Sequence, residues 1–117
     1  MKIKLMPEYL CEPLWIYDEQ SGIPRNVTPE ELGLPLHLVQ AIRDHDRDFQ
    51  ATFDAVEPWC SGFRCEYRLV EHWRRGVILA QEIANAIPGD LTVEYERTGE
   101  VSEDSMPLTR RRSLRAA

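Results

Sequence analysis

The chain has 117 residues, 43% of them hydrophobic, which implies one domain with a real core and excludes a chain disordered throughout. The formal net charge is −6, and it is uneven: all 20 acidic residues stand at or before Asp104, whereas Arg110, Arg111, Arg112 and Arg115 follow it. An acidic body repels phosphate backbones, which argues against a nucleic-acid partner and for another protein, of basic character.

Residues 2 to 6, KIKLM, alternate polar and apolar, with Ile3 and Leu5 on one face, and predict a short strand stopped by Pro7. LWIYD, residues 14 to 18, predicts a second strand from its aromatic and β-branched content. QSGIPRN, residues 20 to 26, reads as turn chemistry. Thr28, Pro29 and Glu31 then form a helix start of capping-box type, which Gly33 ends after about one turn. Pro35 opens the next helix, where Leu38, Ile42, His45, Phe49 and Phe53 recur at helical spacing.

EPWCSG, residues 57 to 62, is a loop. The long helix expected over residues 65 to 87 places Leu69, Val70, Trp73, Val77, Ala80, Ala84 and Ile87 on its apolar face. Pro88 and Gly89 stop it, and LTVEYER, residues 91 to 97, alternates as a last strand. The order β-β-α-α-β predicts an α/β (α+β) two-layer sandwich: a small sheet of about three strands with two amphipathic helices on one face. Lys2, Lys4, Thr92, Glu94 and Glu96 are expected on the opposite, wet face. Residues 1–97 then form the globular domain and residues 98–117 a flexible, basic tail.

No apolar run approaches the roughly 18 residues of a membrane span, and the N-terminus lacks the apolar core of a secretory signal. The expectation is a cytoplasmic protein with no membrane contact. Cys11, Cys60 and Cys65 are odd in number and lack zinc-type spacing, so reduced thiols are expected, with Cys65 buried as a small hydrophobe.

Asp44, Asp46 and Asp48 invite a calcium reading. Counted from Asp44, an EF-hand loop needs Gly at position six and an acid at position twelve, where this chain has Phe49 and Ala55. On a helix, alternate residues point about 200° apart, so the three carboxylates diverge. No metal or cofactor is expected. His45 lies on the apolar stripe and reads as a packed residue that meets His72 if the helices face each other. No serine has a nucleophile-elbow context, and no phosphate-binding glycine loop is present. The RRRSLR tail reads as a solubilising segment. The loops PEYLCEPLWIY and EPWCSGF concentrate aromatics beside acids, the composition of a protein-recognition surface.

LMPEYLCEPLW, NVTPEELGLP, DFQATFD and SGF resemble, in order and spacing over residues 3 to 96, a family of small bacterial α/β proteins common in actinobacteria. Relatives there often carry Trp where this chain has His45, which supports a packing role. The resemblance implies a small α/β fold with no catalytic residues. Small acidic proteins of this kind include toxin-neutralising immunity proteins, an analogy of size and charge.

The leading expectation is thus a non-enzymatic interaction domain, an immunity or antitoxin-type inhibitor of a basic protein. Its partner-binding residues would be Trp15, Glu30, Glu31, Asp44, Asp48 and Trp59. One alternative is a small enzyme or ligand-binding domain with a pocket near His45, His72 and Cys60. Another is a structural subunit of a homodimer rather than a monomer.

Overall fold

A computed structural model describes residues 1–102. Strands β1 (Lys2–Leu5), β2 (Leu14–Tyr17) and β3 (Pro24–Val27) are followed by a one-turn 3-10 helix at Glu30–Leu32 and by α1 (Leu36–Gln50). A second 3-10 turn at Pro58–Cys60 leads to α2 (Glu66–Ala86) and β4 (Thr92–Tyr95). The sheet has four strands in the order β3-β2-β1-β4. β2 runs antiparallel to both β1 and β3, and β4 runs parallel to β1.

The expected α+β sandwich forms, with one strand more than the sequence reading allows. β3 lies in the stretch read as a turn. Its residues PRNV have no apolar alternation, and only Val27 is buried. It pairs with β2 in an antiparallel ladder, and Asn26 reinforces that pairing. Its side-chain amide donates to the carbonyls of Glu12 and Leu14, and its oxygen accepts the Glu12 N–H at 2.9 Å. An edge position also tolerates Pro24, which has no N–H to donate.

The core joins the inward sheet face to both helices. Ile3, Leu5, Leu14 and Val27 pack with Leu38, Val39 and Ile42 of α1 and with Leu79 and Ile83 of α2. The outer face is polar, as expected: Lys2 pairs with Glu94 at 3.3 Å and Lys4 with Glu96 at 3.0 Å. Both lysines also lie over the Tyr17 ring.

Helix faces and ends depart from expectation in three places. The buried stripe of α2 is Leu69, His72, Trp73, Gly76, Leu79, Ala80 and Ile83, while Val70 and Val77 are exposed. α1 stops at Gln50, leaving Phe53 on a loop against Tyr9. The Thr52 hydroxyl donates to the Phe49 carbonyl and so competes with the backbone for it. Cys65 is exposed rather than buried, because it precedes the first turn of α2 in extended geometry. The one-turn helix ends as expected, with Gly33 left-handed at φ 67°.

Residues 98–102 run back over the domain. The Trp73 indole donates to the Thr98 carbonyl, and Val101 is buried in a bridge to Phe63. Residues 103–117, where the RRRSLR segment falls, lie outside the described residues.

Candidate functional site

Three features concentrate chemistry: an ion-paired acidic surface on α1, a buried histidine pair and an open cleft beside the N-terminal half of α2.

The acidic surface centres on Arg43. Its guanidinium spans Glu12 at 2.7 Å and Glu30 at 2.8 Å, tying the loop before β2 and the 3-10 turn to α1. Glu31 pairs with Arg25 at 3.7 Å, and its N–H caps onto Thr28. The three aspartates diverge, as helical spacing requires. Asp44 pairs with Arg47 one turn on, Asp46 accepts from Gln50, and Asp48 reaches Arg75 on α2 at 3.0 Å. Burial pushes the Asp46 carboxyl upward, against the hydrogen bond from Gln50. Among the described residues, no group of three or more His, Cys, Asp or Glu side chains could hold a metal ion.

The two tryptophans proposed from the sequence differ in kind. Trp15 is half-buried, and its indole donates to the Met6 carbonyl at 3.0 Å. Trp59 is 68% exposed on its loop. Leu10, which the sequence reading passed over, is 82% exposed and sits at φ 65°, the left-handed region. Gln50 holds that turn by accepting the Leu10 N–H and donating to the Glu8 carbonyl.

His45 and His72 do meet between the helices. Their rings stack with centroids 3.8 Å apart, and His45 Nε2–H donates to the His72 carbonyl at 2.9 Å. Neither ring is open to substrate, since they are 2% and 0% exposed. Phe49, Phe63 and Tyr95 close around them. Burial lowers both pKa values, that of His72 to about 3, so both rings are neutral at pH 7. Cys60 lines the open cleft, which neither histidine lines. The alternative of a pocket shared by His45, His72 and Cys60 finds no support here: the histidines are sealed in the core, away from the cleft that Cys60 lines.

The cleft has a volume of about 920 Å³. It lies between the end of α1, the loop after it and the first turns of α2, with Asp54, Arg64, Tyr67 and Arg68 among its lining. No sequence motif marks it.

These features describe a protein built for surface contacts. The model of one family, Serratia CdiI immunity protein-like, matches residues 1–98. The chain belongs to the Serratia CdiI immunity protein-like family. That membership makes it an immunity-type inhibitor, a non-enzymatic protein that acts by binding another protein, a toxin. No curated protein matches the chain. The family match nearly coincides with the span of the motif resemblance. No helix among the described residues is long and apolar enough to cross a membrane.

Proposed function

We infer that this CdiI-like chain neutralises a basic toxin domain by covering it with the acidic surface of α1 and the preceding 3-10 turn. The observation that carries this reading is the charge distribution, with every acidic residue at or before Asp104 and twice as many acids as bases over that span. Glu30, Glu31, Asp44 and Asp48 are solvent-accessible, and each is held by an arginine rather than left to sweep solvent. Such half-screened carboxylates are preorganised. A partner's Lys or Arg would join an existing ion-pair array, with less side-chain entropy to lose on binding. Trp59 supplies an exposed aromatic anchor of the kind that dominates binding energy. Trp15 contributes through the fold, by fixing the strand that carries it.

The test is protection. Co-expressed with the toxin it binds, the natural chain should restore growth, and a variant with Glu30, Asp44 and Asp48 changed to Lys should not. Equal protection by that folded variant would sink the acidic-surface reading.

A further inference from the structure

Among the described residues, six of the eight arginines are engaged. Arg25, Arg43, Arg47, Arg74 and Arg75 pair with carboxylates, and Arg97 lies over the Trp73 ring. Among the described residues, Arg64 and Arg68 do neither. Arg64 precedes α2 and Arg68 lies in its first turn, and both line the 920 Å³ cleft.

The acids that share the cleft are already occupied. Asp48 is held by Arg75 and Glu71 by Arg74, while Asp54 accepts the backbone N–H groups of Val56 and Glu57. Arg64 and Arg68 therefore remain without a carboxylate partner in a cleft whose lining also carries Asp48, Asp54, Glu71 and Arg75. Beside them stand exposed rings. Tyr67, 76% exposed, lines the cleft, and Trp59 stands on the loop between the lining residues Ala55 and Cys60. Arginine, tyrosine and tryptophan are the residue types that carry binding energy at interfaces. A guanidinium fork also matches a carboxylate in two parallel hydrogen bonds.

We propose that this cleft docks an acidic segment of a partner protein, with Arg64 and Arg68 holding its carboxylates and Trp59 and Tyr67 covering its apolar flank. The site adjoins the α1 surface at Asp48, which lines both, and differs from it in holding two guanidinium groups without a carboxylate partner. It rests on the reading that the chain acts by binding a protein, and it gives that protein a second, acidic contact. A nucleic-acid strand fits less well, because its unbroken phosphates would also meet Asp54 and Glu71.

Nuclear magnetic resonance titration of the full chain tests this, with an oligoglutamate peptide and separately with an oligolysine peptide. Oligoglutamate should shift the Trp59 indole N–H and the Arg64 and Arg68 side-chain resonances. The R64S/R68S variant should bind it about tenfold more weakly, the loss expected for two charge-assisted contacts. Unchanged affinity in that variant would overturn the proposal, and so would displacement of the peptide by a lower concentration of single-stranded oligonucleotide. Glu103 and Asp104, just past the cleft residue Ser102, are the rival occupants. If only an E103Q/D104N variant binds the peptide, the cleft serves the chain itself and the proposal falls. Oligolysine reports on Glu30 and Asp44, which do not line the cleft, so the two surfaces fail or succeed separately.

Discussion

The imidazole rings of His45 and His72 lie 3.8 Å apart and within 8° of parallel, and three of their four nitrogens have no hydrogen-bond partner. Two charged rings would not be tolerated there. Arg75 opposes protonation of both, Asp48 favours it weakly at His45, and Tyr95 meets His45 edge-on. An unfolded histidine takes up its proton near pH 6.5, whereas folded His72 does so only near about 3. Below about pH 6.5 the unfolded state therefore holds more protons. The stability present above that pH is lost as pH falls toward 3, by on the order of 1 kcal/mol per unit from His72 alone. Urea midpoints measured from pH 7 down to about 4 should trace that slope, and H72F should flatten it. An H72F protein with the natural slope would assign acid sensitivity elsewhere.

Gly76 faces Tyr95. A Cβ at position 76 would overlap the Tyr95 ring, which packs against both core clusters. G76A should therefore destabilise by roughly 1–3 kcal/mol, despite alanine's better helix propensity. The double variant G76A/Y95L should recover most of the loss. Thermal melts of the three proteins decide it.

Leu10 occupies a left-handed conformation with its side chain in solvent. L10G should relieve that strain and raise stability by roughly 0.5–1 kcal/mol. An apolar side chain kept at such a cost points to contact with a partner, so the same variant should bind the toxin more weakly. A loss of stability in L10G would mean that the side chain packs on the domain after all.

Trp15 and Trp59 should separate cleanly. W15A removes a half-buried ring and leaves the Met6 carbonyl without its donor, so chemical denaturation should show a loss of about 2–4 kcal/mol. W59A removes an exposed ring and should leave stability within about 0.5 kcal/mol while weakening partner binding. Similar stability losses in both would remove Trp59 from the binding surface.

Helices and three strands were legible because each carries its own period, and the aspartates' divergence followed from the same geometry. β3 was not, because it pairs through its backbone and the Asn26 amide without any apolar alternation. The buried face of α2 was misread for a related reason. Val70 and Val77 are as apolar as Leu79 and Ile83, and only the sheet and α1 decide which stripe turns inward. Gly76 was the overlooked clue, since a mid-helix glycine marks the close approach of a neighbour. The sequence raised a meeting of His45 and His72 only as a condition, because it depends on how the helices face each other, and their burial depends on Phe49, Phe63 and Tyr95 closing over them. Apart from Ser102 the cleft is lined within residues 48–75, by the end of α1, the loop after it and the start of α2, and no motif in that stretch encodes its shape.

The central claim is that an acidic surface on α1 holds a basic toxin. Calorimetric titration of the purified toxin domain with the natural chain and with D44N/D48N, at roughly 0.01 M and roughly 1 M salt, tests it most directly. Over that range the Debye length falls from about 30 to about 3 Å. The natural chain should lose affinity steeply with salt, and D44N/D48N should bind more weakly with a shallower salt slope. Equal affinity and equal salt dependence for the two proteins would contradict the claim and leave α1 as scaffold.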